Sequence, residues 1–488
     1  MTISDGWGVS FVPPQRRNAI LAFMLTFSRL ALVLAFATAA GHAQLDPGTK
    51  AKIDAAARKV LADTGVPSAS VGVVKDGKIV YTQAFGLAHI SPPKPATPDM
   101  AYAIGSISKQ FTATAILLLQ QDGKLSVDDP VGKYFPELTR SNEVTIRNLL
   151  TMTSGYEDFA PQDYTIPDWL KPIEPSKLVH LWATKPLDFD PGTKWQYSNT
   201  NYVLVSLIVE KVSGEPLGKF LHERVFGPAG MKDLFNTYSQ REKLQVTGYV
   251  SNALAPPRVE PMEGTGWYYG DGDQAMPAAT LLQWDLSFIN KSVLTPASYA
   301  EQETSFKLKD GTDTRYGMGI YSFDNHGHHM IEHGGEVGGF VSENIVYPDD
   351  GVAIVVLTNQ TASEAASEIA AAIAPLLIAP SAPDAPKTDA FAAELQTILT
   401  GMQQGKIDRS LFTADCNFYF DKDALADFQS ALGPMGAITA VKQQRAGLRG
   451  GMEFGMYRVT FSGGGSIIIT TYRMTDGKIE QLLVVGKG

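Results

Sequence analysis

The sequence predicts an α+β fold in which helices sandwich an antiparallel sheet, with a mostly helical insertion and a small C-terminal α+β domain. Three observations favour this fold. β-rich runs occur near both ends of residues 44–378, and a segment rich in Pro, Trp and Tyr separates them. The stretch 379–387 has a proline at every third position, as extended linkers do, and more helix and strand patterns follow in 388–488.

Residues 1–43 have the pattern of an export signal. Arg16 and Arg17 precede the apolar stretch LALVLAFATAA, and Gly41-His42-Ala43 provides the small residues of a cleavage site. This stretch is shorter than the ~20 residues of a membrane span, which favours cleavage over retention as an anchor. Translation from Met24 would also give a complete signal. We expect an exported protein, periplasmic or secreted, without a stable membrane span after cleavage.

The composition of the chain limits the kinds of molecule that it can bind. The 488 residues carry a net charge of −10 and no basic cluster, so nucleic acid is excluded and a small-molecule or peptide substrate is expected. Cys416 is the only cysteine, which excludes an intrachain disulfide. The sequence does not indicate the oligomeric state.

The larger domain begins with a predicted helix over 47–64, where apolar residues recur at helical spacing. Two β-rich runs follow, and Asp76-Gly77 between them predicts a tight hairpin turn. A further helix is predicted from Ser106 to Gly123. A helix followed by an antiparallel hairpin indicates a sheet covered by helices.

The sheet is expected to be completed after the helical insertion. Four β-like runs lie at 314–323, 328–335, 339–348 and 351–360, and a last helix is predicted over 363–378.

The C-terminal domain is predicted to contain one helix, over 390–404, and at least three strands. Its β-like runs are 456–462, 466–474 and 478–485.

Within AIGSISKQF (103–111), Ser106 and Lys109 are three positions apart and share one face of a helix, whereas Ser108 and Lys109 are adjacent and point apart. Two interpretations stand. Ser106 could cap a helix whose lysine is exposed, or it could be a nucleophile with Lys109 as its base. The second requires a lysine that burial or nearby positive charge keeps partly deprotonated.

Five segments then decide between these interpretations. In order from Val66 to Gln360 they are AIGSISKQF, QQDGKLSVDDPVGKYFPEL, TIRNLLTMTSG, FDPGTKWQYSNTNYVLVSLIVEKVSG and EHGGEVGGF. Together they resemble the serine β-lactamase and penicillin-binding protein superfamily, whose motifs include S-x-x-K. The similarity is to its class C β-lactamase branch, with D-alanyl-D-alanine carboxypeptidase, D-aminopeptidase and esterase relatives. The resemblance implies a β-lactamase/transpeptidase-like fold.

The resemblance also implies roles for individual residues. Ser106 matches the acylated nucleophile and Lys109 the lysine of the same tetrad. Tyr197-Ser198-Asn199 matches the Y-x-N element, in which Tyr197 shares the work of the general base and Asn199 orients the lysine and the substrate. Without the other motifs, Tyr197 could equally be a turn residue before a helix from Asn201. No metal or organic cofactor is implied.

His333-Gly334-Gly335 aligns with the K-T-G triplet of these enzymes, on a strand edge along the substrate. The backbone N–H of Glu336 is the expected second oxyanion donor. Histidine replaces the lysine that pairs with the carboxylate of penicillins and D-alanine termini. A mostly neutral histidine binds a carboxylate less well, which argues against dedicated β-lactam resistance.

Two further clusters have more than one interpretation. Trp267, Tyr268 and Tyr269 could bind an apolar substrate group above the active site, or could simply pack the helical insertion. The histidines of 326–333 could suggest a metal, but His328 and His329 would point to opposite faces of a strand and no cysteine or evident carboxylate completes a set.

The sequence therefore predicts a serine hydrolase that cleaves an ester or an amide or peptide bond through an acyl-enzyme on Ser106. The alternatives are a β-lactamase and a penicillin-binding sensor module that acylates without turnover.

Overall fold

The computed structural model describes residues 45–325, 327–378, 391–449 and 452–487. The predicted signal at 1–43 lies outside these residues, as does the predicted linker at 379–387. Both therefore stay predictions.

The helices and strands are numbered in chain order. The helices are α1 (Pro47–Thr64), α2 (Lys109–Gln121), α3 (Ile146–Leu150), α4 (Pro175–Ala183), α5 (Asn199–Ser213), α6 (Leu217–Leu221), α7 (Ala278–Asn290), α8 (Pro296–Glu303), α9 (Ala365–Leu377), α10 (Ala392–Met402), α11 (Ala414–Tyr419) and α12 (Lys422–Leu432). The strands are β1 (Ser68–Lys75), β2 (Lys78–His89), β3 (Lys94–Pro95), β4 (Tyr102–Ala103), β5 (Phe235–Asn236), β6 (Tyr249–Val250), β7 (Arg258–Val259), β8 (Gln274–Met276), β9 (Tyr321–Asn325), β10 (His328–Val337), β11 (Phe340–Tyr347), β12 (Val352–Thr358), β13 (Ile438–Arg449), β14 (Met452–Phe461), β15 (Ser466–Arg473) and β16 (Ile479–Lys487).

The main sheet joins the two ends of the larger domain, as predicted. Its seven strands are ordered β3-β2-β1-β12-β11-β10-β9, and every neighbouring pair is antiparallel. The turn at Asp76-Gly77 forms the predicted hairpin between β1 and β2. β1 then pairs with β12, with Val71 opposite Val356, so residues almost 300 positions apart share the centre of the sheet.

Helices cover both faces of this sheet. α1 and α9 pack on one face, where Ile354 and Val356 belong to one apolar core. α7 packs on the other face, where Val355 and Leu357 belong to a second core with the helical insertion. Because β12 is buried on both faces, its sequence is a continuous apolar run rather than an alternating one. The predicted α+β fold is confirmed.

The predicted strand over 314–323 is wrong in its first part, because β9 begins only at Tyr321. The preceding residues form turns in which Arg315 and Gly319 have positive φ, and Gly317 N–H donates to the Ile320 carbonyl. Left-handed backbone of this kind is incompatible with a strand, although the sequence there is rich in β-forming residues.

The C-terminal unit has its own four-stranded antiparallel sheet, ordered β13-β14-β15-β16, and its own apolar core. The predicted helix over 390–404 corresponds to α10, and the three predicted strands correspond to β14, β15 and β16. β13, α11 and α12 were not predicted. β13 is an edge strand with many polar, exposed residues, so it lacks the apolar pattern by which strands are identified.

This unit packs directly against the larger domain. Tyr164 donates a hydrogen bond of 2.7 Å to the Glu480 carbonyl in β16, and Gln481 Nε2 donates one of 3.0 Å to Asp163. Residues from Leu45 onwards thus cluster as one compact unit. Among the described residues, the helices are all too short or too polar to cross a membrane.

We predict that Phe111→Ala destabilises the larger domain strongly. The Phe111 side chain is fully buried in α2 and makes edge-to-face contacts with Phe226 and Trp284. Its truncation should lower the free energy of unfolding by about 3–5 kcal/mol. Denaturant unfolding measures this, and Leu181→Ala, at a 48% exposed site, should cost less than about 0.5 kcal/mol. Equal losses would contradict the prediction.

Candidate active site

Ser106 lies in a single 3-10 turn, Gly105–Ser108, that leads into α2. Gly105 has a φ of 52°, and a Cβ built there would lie 2.7 Å from the backbone nitrogen of Glu336. Glycine therefore allows the turn to approach β10 closely. Ser106 makes no capping hydrogen bond, and the predicted alternative of a helix-capping serine is wrong.

Lys109 is fully buried rather than exposed. Its Nζ donates hydrogen bonds to Ser106 Oγ at 2.9 Å, to Asn199 Oδ1 at 2.8 Å and to the Asp271 carbonyl oxygen at 3.0 Å. Burial lowers the pKa of Lys109 to about 8, even though Asp271 and Asp158 favour its charged form. The amine can therefore lose and regain a proton near neutral pH.

Two buried carboxylates support this lysine, and the sequence analysis missed both. Asp271 Oδ2 lies 3.5 Å from Lys109 Nζ, and burial raises the pKa of Asp271 to about 7. Asp158 accepts hydrogen bonds from the backbone N–H of Asn199 at 2.8 Å and from Asn199 Nδ2 at 3.1 Å, so it fixes the amide that faces the lysine. The feature of the sequence that could have indicated Asp271 is the GDGD of residues 270–273.

Tyr197 and Asn199 lie where the Y-x-N resemblance places them, beside Lys109. α5 begins at Asn199, two residues earlier than the alternative interpretation of Tyr197 assumed. The Tyr197 ring centre is 5.1 Å from Lys109 Nζ. Burial raises the pKa of Tyr197 well above its ordinary value, while a hydrogen bond with the Ser106 side chain and the Arg449 cation act in the opposite direction. The phenol is therefore neutral and suits a proton relay better than a resting base.

Gly335 and Glu336 lie against the Ser106 turn. A Cβ built at Gly335 would lie 2.0 Å from the Ile104 carbonyl oxygen, so only glycine permits this approach. The Glu336 backbone nitrogen lies next to Gly105, in the turn that carries Ser106. The side-chain Oε1 of Glu336 accepts a hydrogen bond of 2.8 Å from the Ala362 N–H.

His333 is buried and neutral. Its Nδ1 donates to the Gly334 carbonyl at 2.6 Å, and its Nε2 accepts from the Tyr316 hydroxyl at 3.0 Å. Burial lowers the pKa of His333 to about 3. The ring centre is 6.1 Å from that of Tyr197. His333 thus lies beside Tyr197 and provides no positive charge.

The three aromatic residues of the insertion have different surroundings. Trp267 stacks at an angle on Phe159, with ring centres 5.8 Å apart, and donates to the Lys171 carbonyl. Tyr269 donates to Glu210. These two pack the insertion, whereas Tyr268 lines the pocket beside Ser106.

The histidines of the 326–333 segment have separate partners. His328 Nδ1 lies 2.9 Å from Asp350, and His329 Nε2 lies 3.1 Å from the Ser322 hydroxyl. His326 lies outside the described residues. In the part of the chain that the structure describes, no three His, Cys, Asp or Glu side chains are grouped for a metal.

Arg449, from the C-terminal unit, also reaches this site and was not predicted. It lies at the end of β13, its guanidinium carbon is 5.6 Å from the Tyr197 ring centre, and it forms an ion pair with Asp163. Its charge opposes protonation of Lys109. No local pattern in the sequence marks it, because its role depends on how the two units pack.

The pocket beside Ser106 is small, with a volume of about 30 Å³. Its lining includes Ser106, Asp163, Asn199, Tyr268, Glu336 and Arg449. A serine hydroxyl next to a partly deprotonated amine, with backbone N–H groups beside it, can attack a carbonyl carbon and stabilise the resulting oxyanion.

A sheet between helices, with a serine and a buried lysine at the start of a helix and a glycine-rich strand edge beside them, defines proteins of the β-lactamase/transpeptidase fold. Comparison with known protein families supports this assignment of the fold. The family model described as Beta-lactamase matches residues 53–377, and the chain belongs to this family.

Individual relatives show where the similarity extends. PbpX of Bacillus subtilis (strain 168) is 31% identical over 268 residues, which are 53% of this chain and 64% of that protein, just under two thirds of its length. A D-stereospecific amidohydrolase from Streptomyces sp. is 25% identical, with a TM-score of 0.57, and the match covers 68% of this chain and 99% of the other.

One solved structure matches beyond the family region. The octameric penicillin-binding protein homologue from Pyrococcus abyssi is 23% identical, with a TM-score of 0.59, and the match covers 91% of this chain and 99% of the other. Coverage of this extent includes C-terminal residues, so the fold similarity continues past the catalytic domain.

We predict that Gly335→Ala disables the serine and that Gly334→Ala does not. A Cβ at Gly334 would meet its nearest neighbour, the Ser342 carbonyl oxygen, at 3.4 Å, an ordinary contact. A Cβ at Gly335 would force the Ser106 turn to move. Misplacement of a reactive group by about 1 Å costs about 100-fold in reactivity. The rate at which a fluorophosphonate labels Ser106 measures this, with thermal unfolding as a check on folding. Equal labelling of both variants would contradict the prediction.

Proposed function

We propose that this protein is a serine hydrolase that cleaves an ester or amide bond through an acyl-enzyme on Ser106. One observation carries the proposal: a fully buried lysine, Lys109, donates a 2.9 Å hydrogen bond to Ser106 Oγ and has a pKa lowered to about 8. A serine with a partly deprotonated amine beside it has the base that acylation needs.

In the acylation step, Ser106 Oγ attacks the carbonyl carbon and its proton passes to the neutral amine of Lys109. The N–H groups of Ser106 and Glu336 stabilise the oxyanion of the tetrahedral intermediate. As the intermediate collapses, the leaving alcohol or amine takes the proton, with the Tyr197 hydroxyl as the relay. Water then attacks the acyl carbonyl and gives a proton to the same groups. This proton passes to Ser106 Oγ as the acid leaves, which regenerates the free serine.

The comparisons support a hydrolase in general. The amidohydrolase among the structural relatives favours an amide or ester carbonyl as the target. The neutral His333 disfavours a dedicated β-lactamase, for which the resemblance places a lysine at that position. The second candidate is a penicillin-binding sensor, because the Ser106, Lys109 and Tyr197 arrangement serves acylation equally well in a protein that does not turn over. With the signal pattern of residues 1–43, the proposal includes an exported enzyme.

We predict that purified protein hydrolyses 4-nitrophenyl acetate with multiple turnovers, and that Ser106→Ala abolishes this activity. Ser108 Oγ is buried and accepts a hydrogen bond of 3.4 Å from the Gln274 backbone N–H, whereas Lys109 Nζ bonds to Ser106, so Ser108→Ala should retain most of the activity. Release of 4-nitrophenolate measures turnover, and mass spectrometry locates the acyl group. Loss of activity in Ser108→Ala alone would refute the assignment of the nucleophile.

A panel of carbonyl substrates separates the two candidate functions. A short ester, a D-alanyl-D-alanine peptide, a D-amino-acid amide and a chromogenic cephalosporin should be compared as parallel rates. Sustained turnover of the ester or the amide, with slow or no turnover of the cephalosporin, is expected. A stoichiometric burst without further product on every substrate would favour the sensor.

We predict that the acylation rate falls as the pH decreases through about 8, because the base is the neutral form of Lys109. The carboxylates of Asp271 and Asp158 raise the pKa of this lysine, so Asp271→Asn should lower it and shift the rising limb to lower pH.

Pre-steady-state burst rates against pH measure this shift. Asp158→Asn should move the limb in the same direction, which provides a second variant if Asp271→Asn does not fold. The exposed Asp168→Asn is the control and should leave the profile unchanged. If the rising limb of the acylation rate stays at the same pH in both folded variants, the role of Lys109 as base is contradicted.

A further inference from the structure

The end of β13 brings Arg449 from the C-terminal unit into the pocket beside Ser106. The backbones of Arg449 and Tyr197 form a parallel bridge, so the position is fixed by main-chain pairing as well as by the side chain. Arg449 Nη1 donates to Asp163 Oδ1 and, at 2.8 Å, to the Tyr472 hydroxyl. The guanidinium is thereby held beside the proposed proton relay.

The guanidinium is not fully satisfied by the protein. Its buried Nε has no hydrogen-bond partner among the described residues, and 25% of the side chain remains exposed. Asp163 does not depend on Arg449 alone, because Tyr472 and Gln481 also donate to its Oδ2, at 2.8 and 3.0 Å. Since an arginine presents five donors in a planar fork, this one retains capacity for another acceptor.

Arg449 is also the only cationic side chain among the described residues that line this pocket. Lys109 is already bonded to Ser106, Asn199 and Asp271, and His333 is neutral. An anionic group of a substrate that reaches Ser106 therefore has one positive partner within the pocket.

Asp163 is the acidic side chain of the pocket that pairs with this cation. The other acidic side chains of the pocket are bonded to backbone N–H groups, and Glu336 accepts from that of Ala362. Glu260 accepts a hydrogen bond of 2.7 Å from the Gly339 N–H, and Glu263 accepts one of 3.0 Å from the Gly338 N–H. Burial raises the pKa of both, that of Glu260 to about 8. Both glutamates hold the loop between β10 and β11 rather than the guanidinium.

We propose that Arg449 binds a carboxylate of the substrate, so that the C-terminal unit completes the specificity site of the hydrolase. The inference rests on the proposed function. A planar carboxylate matches the geometry of the guanidinium fork. The guanidinium donors of Arg449 would hold the carboxylate while Ser106 attacks a carbonyl of the same substrate molecule.

Ligand binding tests the site without any turnover. Calorimetry on Ser106→Ala protein compares benzoate with its neutral isostere benzamide. We expect Arg449→Gln, added to this variant, to weaken benzoate binding at least about 10-fold and to leave benzamide unchanged, as expected for loss of a charged hydrogen bond. Arg458→Gln, which removes an exposed arginine from β14, is the control. Unchanged benzoate binding, or no preference for benzoate in the parent, would overturn the proposal.

Turnover tests the same site in the otherwise intact enzyme. Two matched pairs of esters test a carboxylate on either side of the scissile bond. In the acyl part, mono-4-nitrophenyl succinate is compared with the uncharged 4-nitrophenyl butyrate. In the leaving group, 3-carboxyphenyl acetate is compared with the uncharged phenyl acetate. In at least one pair, wild-type kcat/KM should favour the carboxylate, Arg449→Gln should remove that preference, and Arg449→Lys should restore part of it. Equal losses on both members would show a structural role only and would overturn the proposal.

The two measurements separate the inference from the function on which it rests. No turnover of any ester, together with arginine-dependent benzoate binding, would refute the hydrolase and leave the anion site. If the protein turns over esters but prefers the carboxylate in neither pair, and does not prefer benzoate in binding, the anion site is refuted and the hydrolase stands.

Discussion

The burial of one ammonium group governs the architecture of this site. Lys109 is fully enclosed, and a buried amine is tolerated only where acceptors surround it. Ser106, Asn199 and the Asp271 carbonyl provide those acceptors, and each comes from a different part of the chain. The same desolvation that makes the lysine costly to bury brings its pKa to about 8, so packing and reactivity have one physical origin.

The fold supplies these acceptors from opposite sides. β10, near the edge of the main sheet, lies against the turn that carries Ser106, and Gly335 allows the contact. The helical insertion contributes Asn199 at the start of α5 and Asp271 before β8. The nucleophile therefore lies between the sheet and the insertion, where two side-chain oxygens and one backbone carbonyl surround the lysine.

Sequence reasoning reached the residues whose spacing is local. Ser106 and Lys109 lie one turn apart, and Tyr197 and Asn199 form one short motif, so each pair is visible without a structure. Asp271 had only the GDGD of residues 270–273 as a signal. Arg449 is visible only through packing, because nothing in its own neighbourhood distinguishes a buried partner from a surface charge. The turns before β9 were missed for a similar reason: positive φ at Arg315 has no signature in side-chain type.

The ion pair between Asp163 and Arg449 joins positions 286 residues apart. Arg449 is synthesised long after Ser106, Lys109 and Tyr197, and it reaches the pocket only once the C-terminal sheet has formed. The nucleophile and its base can thus assemble before the pocket has its final walls. This order would delay a fully formed pocket until most of the polypeptide has been made and folded.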